Sequence, residues 1–166
     1  CTTIAAVLGS RTGVAIGTVG DTRVYRHAIA AKELTQVSQD DTIAAELKRI
    51  RGSDMPVDLL DPSSHRLAQF IGMGSDIERR GGAGEARKDS GGLLASEGAY
   101  RIPPPLFELL FQMAPNPVQG VWRILQTARW CGGLDNATMI YAATQVLTAT
   151  DAAASAQMPR VELWDS

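Results

Sequence analysis

The chain has 166 residues, 45% of them hydrophobic, which is enough for one domain with a buried core. Its 16 basic and 18 acidic residues give a net charge of −2, and without a basic excess we expect no nucleic-acid partner. We also expect a soluble protein without a membrane span or signal peptide, because no apolar run approaches about twenty residues. Two cysteines, Cys1 and Cys131, do not make a disulfide framework, so the cytoplasm is the simplest compartment.

The first quarter of the chain predicts an antiparallel meander. Apolar runs at residues 3–8 and 14–19 flank a glycine-bounded turn and indicate a β-hairpin. Residues 23–27 alternate between polar and apolar and predict a third strand, and residues 34–38 predict a fourth. Because the run at 3–8 is almost uniformly apolar, we expect it to be a central strand with neighbours on both sides.

The middle of the chain predicts one helix and much loop. Residues 42–51 have apolar side chains on one face, acids before the first turn and bases in the last, which favours a helix. Residues 52–64 predict a surface excursion, and residues 72–92 predict a loop around one weak strand. Residues 93–96 then predict a short buried strand.

The last third predicts two helices and a strand. Three prolines at 103–105 open a helix that runs to Met113, and Asn116 with Pro117 begins a second helix that stops at Gly132. The second helix carries apolar residues at spacings of three and four, namely Val118, Val121, Trp122 and Leu125. Residues 137–143 predict the last strand. We therefore expect a layered α/β (α+β) domain over residues 1–147, followed by a C-terminal extension over 148–166.

Three carboxylates occupy comparable places at predicted strand ends. Asp21 and Glu97 each follow a strand, Asp135 precedes one, and each lies near a glycine that allows close approach of the backbone. Since strand ends of a layered sandwich meet at one rim, we expect the three acids to lie together there. Carboxylates from separate strands suit Mg²⁺ or Mn²⁺, although acids beside glycine are also ordinary turn residues.

Four sequence blocks follow one another in a fixed order: VGDTRVY at 19–25, ELTQVSQDD at 33–41, GLLASEG at 92–98 and GGLDNAT at 132–138. In this order they resemble the later motifs of the type 2C metal-dependent serine/threonine protein phosphatases. The resemblance covers residues 2–143 and corresponds to the C-terminal part of that family's catalytic domain. It implies a four-layer αββα sandwich with a two-metal centre of Mg²⁺ or Mn²⁺, at which water attacks the phosphate of a phosphoprotein substrate.

The same resemblance implies roles for the three acids. Asp135 matches the aspartate of the closing Asp-Asn motif, which holds a catalytic metal. Glu97 matches the aspartate of the Ser-Asp-Gly motif, which holds the same metal. Asp21 matches the aspartate of the Gly-Asp-Ser-Arg motif, which is associated with an additional metal.

The chain also departs from the family pattern. The family's first metal-binding acid, its phosphate-binding arginine and its Asp-Gly-x-Gly-Gly motif all precede the position of Cys1, so we expect the N-terminal strands to come from a companion segment. Glu97 is one methylene longer than aspartate, and Asp41 replaces the usual histidine. One alternative is therefore a catalytically inactive phosphatase-like module that binds a protein partner.

A second alternative depends on Cys1. An N-terminal cysteine is a nucleophile in the N-terminal nucleophile hydrolases, which cleave their own precursors and also have an αββα sandwich. The opening of this chain looks somewhat like that of proteasome-type subunits. The simpler interpretation is that Cys1 marks the boundary of a fragment.

Overall fold

A computed structural model describes residues 2–10, 12–51, 66–74, 77–85 and 87–144. Cys1, the predicted excursion at 52–64 and the predicted extension at 148–166 lie outside these residues. The elements in chain order are β1 (Ile4–Gly9), β2 (Gly13–Val19), β3 (Arg23–Ala28), β4 (Glu33–Gln36), α1 (Ile43–Arg51), β5 (Arg80–Glu85), β6 (Ser90–Ala95), α2 (Glu97–Tyr100), α3 (Pro104–Gln112), α4 (Pro117–Trp130) and β7 (Met139–Ala143).

The described strands form two antiparallel sheets that face each other. The first sheet has the order β1-β2-β5 and the second has the order β4-β3-β6-β7. A Cβ added to Gly92 of β6 would lie 4.0 Å from Cγ1 of Val7 on β1, so these two strands are opposed across the sandwich. Helices α3 and α4 pack on the other face of the second sheet. The expected α+β sandwich of two antiparallel sheets is confirmed.

The main core lies between the second sheet and these helices. Tyr25 of β3 stacks on Phe107 of α3 with ring centroids 5.1 Å apart. Leu93 of β6 and Ile124 of α4 are completely buried in the same cluster. Burial of such large apolar side chains is the dominant favourable contribution to folding. This core fixes β3 and β6, and the start of β3 and the end of β6 lie at the site described below.

Helix α4 begins as predicted, and part of its predicted apolar face packs on the core, since Val121 and Leu125 are partly buried against it. The side chain of Asn116 accepts a hydrogen bond from the Gln119 N–H at 2.9 Å, which caps the first turn. The buried residues are Gly120, Ile124 and Ala128. In contrast, Val118 and Trp122 are exposed. The helix lies closest to α3 at Gly120, where an added Cβ would collide with the ring of Phe111.

The expected second neighbour of β1 is not among the described residues. Among the described residues β1 pairs only with β2, and it forms an edge of the first sheet. Ile4 and Leu8 are 50% and 70% exposed on its outer face. The apolar composition of residues 3–8 predicts a strand with buried side chains. It does not predict how many strands pair with it, because the pairing strands come from distant segments of the sequence.

The region predicted as loop around one weak strand contains more sheet than expected. The weak strand is β5, which pairs with β2. Strand β6 begins at Ser90, three residues earlier than predicted, because Gly91 and Gly92 pair with Ala143 and Ala142 of β7. A Cβ at Gly91 would collide with the hydroxyl of Tyr141, so glycine here marks a close approach and not a loop.

Within the described ranges, no helix is long and apolar enough to cross a membrane.

Candidate active site

The three predicted acids lie at the same end of the second sheet. In the strand register Arg23 pairs with Ala95, and Ala95 pairs with Met139. The start of β3, the end of β6 and the start of β7 therefore coincide. Asp21 immediately precedes β3, Glu97 immediately follows β6, and Asp135 precedes β7 by a short turn, which puts all of them at this end.

The short helix α2, which begins with Glu97, contacts both the turn that carries Asp21 and the turn that carries Asp135. Its last residue, Tyr100, donates a hydrogen bond from Oη to the carbonyl oxygen of Asp21 at 2.8 Å. At its first turn, a Cβ added to Gly98 would lie 2.5 Å from the carbonyl oxygen of Asn136 and 2.8 Å from that of Asp135. Glycine thus lets the backbone carrying Glu97 touch the backbone carrying Asp135.

Ser96 fixes the turn that carries Asp135. The Ser96 N–H donates to the carbonyl oxygen of Thr138 at 2.9 Å, and the Thr138 N–H donates to Ser96 Oγ at 2.9 Å. The Asp135 carboxylate is exposed and accepts a hydrogen bond from the Asn136 N–H at 2.7 Å. Two reciprocal bonds therefore link the end of β6 to the approach of β7.

The carboxyl group of Asp21 lies in an unfavourable electrostatic environment. Burial raises its pKa above the usual range, and the nearby charge of Glu97 raises it further. Arg23 counteracts this only weakly, because its guanidinium donates three hydrogen bonds to the Asp40 carboxylate, two from Nε at 3.1 Å and one from Nη2 at 2.6 Å. Asp21 and Glu97 are thus a pair of like charges, in which Glu97 has a long ion pair with Arg101 at 3.8 Å and Asp21 has only the weak effect of Arg23.

Tyr100 and Arg23 stabilise this arrangement. The Arg23 guanidinium lies 3.7 Å from the centroid of the Tyr100 ring, which is cation–π geometry. Burial, followed by the charge of Asp21, raises the pKa of Tyr100, so its hydroxyl stays protonated at neutral pH and remains a donor. The Asp40–Arg23–Tyr100 sequence of contacts therefore holds α2 against the Asp21 turn.

The acidic residues fit a divalent cation only as part of a ligand set. Carboxylates are the oxygen donors that Mg²⁺ and Mn²⁺ prefer, and a cation would neutralise the repulsion between Asp21 and Glu97. Across the described ranges, however, no group of three or more His, Cys, Asp or Glu side chains is gathered closely enough to hold a metal ion. A complete site would need further ligands.

Sequence reasoning missed α2 and the contacts of Arg23 and Tyr100. Ser96 at the N-cap position followed by Glu97 is a helix-start signal that could have indicated α2. The Arg23–Asp40 pair joins residues 17 apart in sequence and leaves no local signal. Cys1, the nucleophile of the alternative hypothesis, lies outside the described residues.

No protein-family model and no curated protein sequence matches the chain. Solved structures do match. The Mycobacterium tuberculosis serine/threonine phosphatase PstP/Ppp aligns with 84% of this chain at 25% identity and a TM-score of 0.69. A structure of the PstP catalytic domain in complex with two manganese ions aligns with 84% at 25% identity and a TM-score of 0.66. Stp1 from Staphylococcus aureus aligns with 85% at 20% identity and a TM-score of 0.71.

These matches define the fold and the family it is similar to. The chain has the fold of bacterial serine/threonine phosphatases. Within that class it is similar to the PPM, or type 2C, phosphatases, so the resemblance drawn from the four sequence blocks is confirmed. The chain spans 58%, 56% and 55% of the three structures compared above.

Proposed function

We propose that this chain is the C-terminal part of a metal-dependent serine/threonine protein phosphatase domain that acts on phosphoproteins. The observation that carries the proposal is the meeting of the Asp21, Glu97 and Asp135 turns around α2 at one end of the second sheet. The similarity to phosphatase structures, one of them in complex with manganese ions, supports the same activity.

In this proposal the acids of the chain hold divalent cations, either Mg²⁺ or Mn²⁺. When bound, such cations lower the pKa of water and neutralise charge on the phosphoryl group. Asp135 and Glu97 would hold one cation and Asp21 an additional one. The Glu97 side chain is one methylene longer than that of an aspartate. Its backbone is held in the first turn of α2.

A companion segment would complete the sandwich by strand addition next to β1. Strands β2 and β5 lie on the β4 side of the sandwich, where Arg80 of β5 donates to Gln39, so the free edge of β1 lies on the β7 side. On β7, Ile140 faces the first sheet and is 58% exposed, because no described residue covers it. A strand paired with β1 would satisfy its free backbone groups and cover Ile140.

The experiment compares phosphothreonine-peptide hydrolysis with Mn²⁺ by the longest natural polypeptide that contains this sequence and by the 166-residue chain alone. We expect turnover by the former and negligible turnover by the latter. In the active polypeptide Asp135→Asn should abolish turnover. Asp89→Asn is the matched control, since Asp89 is an exposed acid at the opposite end of β6.

Full turnover by the Asp135→Asn variant, or by the chain alone, would refute the proposal. An inactive phosphatase-like module is the second candidate, and it is supported by Glu97 and by the lack of a complete ligand group among the described residues. That module would bind a phosphopeptide without hydrolysing it in either polypeptide.

A further inference from the structure

Asp41 is a completely buried carboxylate that joins three segments of the chain. Its side chain accepts hydrogen bonds from the Gly20 N–H at 2.8 Å, from Gln69 Nε2 at 3.1 Å and from Arg80 Nε. Its carbonyl oxygen accepts from the Ala68 N–H at 2.7 Å. The turn after β2, the segment around residue 68 and the start of β5 are therefore tied to one residue.

Gly20 is held from both sides by Asp41. The Gly20 N–H donates to the Asp41 carboxylate, and the Asp41 N–H donates to the Gly20 carbonyl oxygen at 2.9 Å. Gly20 has a φ of +102°, and a Cβ on it would collide with the side chain of Thr3. The turn is thus confined by hydrogen bonds on one side and by packing on the other, and the next residue is Asp21.

The negative charge of Asp41 is balanced by Arg80. The Arg80 guanidinium also contacts Glu46 of α1, so one cation joins two carboxylates. Buried charges that are paired and hydrogen-bonded stay ordered, whereas removal of one partner leaves the other uncompensated. This pairing holds the Asp41 carboxylate in place to accept the hydrogen bond from the Gly20 N–H.

We propose that Asp41 is a positioning residue that sets the Gly20–Asp21 turn and thereby directs the Asp21 carboxylate toward Glu97. The metal-binding part of this inference rests on the proposed function. The positioning part depends only on the hydrogen bonds to Gly20.

The first test is amide hydrogen exchange of Gly20, measured by NMR relative to Leu93 in the buried strand β6. In Asp41→Ala both acceptors of the side chain are gone, and we expect relative exchange of Gly20 to be at least about 10-fold faster than in the wild type. Glu46→Ala is the matched control, because it also removes a carboxylate from Arg80 but leaves the bonds to Gly20. It should change the ratio by less than about 3-fold.

The second test is paramagnetic broadening of the Asp21 and Glu97 amide signals by Mn²⁺ alone. We expect Asp41→Ala to need about 10-fold more Mn²⁺ than wild type for the same loss of the Asp21 signal, and Glu46→Ala to match wild type. A general loss of stability would affect both variants, so a difference between them reports positioning.

Unchanged Gly20 exchange in a folded Asp41→Ala variant would overturn the inference, as would equal Mn²⁺ response of the two variants. If Asp41→Ala does not fold, the wild type decides: Gly20 must exchange as slowly as core amides, and exchange at the rate of an exposed amide overturns the inference. If Mn²⁺ broadens neither signal in the wild type, the proposed metal function fails, and the exchange data still decide the positioning.

Discussion

Replacement of Gly98 by alanine should separate the turns that form the candidate site. An alanine Cβ would lie 2.5 Å from the Asn136 carbonyl oxygen and 2.8 Å from that of Asp135, whereas Cβ atoms essentially never come within 3.0 Å. The 135–136 turn must therefore withdraw by about 0.5 Å. Forcing a methyl group into a packed contact costs about 1–3 kcal/mol of stability. The higher helix propensity of alanine offsets up to about 1 kcal/mol of this cost. We expect net destabilisation of about 1–2 kcal/mol.

The assay is urea unfolding at 25 °C, with Gly92→Ala as the control in the preceding strand. A Cβ at Gly92 would meet only Val7 Cγ1 at 4.0 Å, an ordinary contact. That variant should be neutral or more stable by up to about 1 kcal/mol, because alanine loses less backbone entropy than glycine. Equal stability of the two variants would refute the claim that α2 touches the Asp135 turn.

Three further predictions concern the core, a buried histidine and a helix cap. Leu93→Ala should lower the free energy of unfolding of the chain by about 2–5 kcal/mol, whereas Ile140→Ala should change it by less than about 0.5 kcal/mol in urea titrations, because only Leu93 is buried. Burial lowers the pKa of His27 below 6.5, so the unfolded chain binds the proton first and stability falls as pH decreases below that value. His27→Gln should reduce the stability lost between about pH 7.5 and about pH 5, and an unchanged loss would contradict this assignment. Asn116→Ala should lower the thermal midpoint, because loss of the α4 cap reduces the free energy of unfolding by about 1 kcal/mol. Asn136→Ala removes no helix cap and should leave the stability of α4 unchanged.

Much of the fold was predictable because its signals are local. The hairpin of β1 and β2 follows from two apolar runs around a turn, and α4 follows from Asn116 and Pro117. Positions of strands within a sheet were not predictable in this way. An edge strand and a central strand can have the same apolar sequence, and β1 differs from a central strand only in partners supplied from elsewhere.

The acidic residues of the candidate site could be predicted from the sequence, whereas the contacts that hold their turns together could not. Asp21, Glu97 and Asp135 could be found because each lies beside a predicted strand, and antiparallel pairing then brings them to one end. The supporting contacts depend on tertiary structure. Tyr100 reaches a carbonyl 79 residues away in sequence, and no spacing rule indicates such a contact.

The central claim is that the acidic turns around α2 hold divalent cations. The most direct measurement is anomalous X-ray diffraction at the manganese edge from crystals of the longest natural polypeptide containing this chain, soaked in Mn²⁺. We expect anomalous peaks within coordination distance, about 2.0–2.4 Å, of carboxylate oxygens of Asp135 and Asp21. Peaks confined to other acidic residues, with none at this end of the second sheet, would contradict the account.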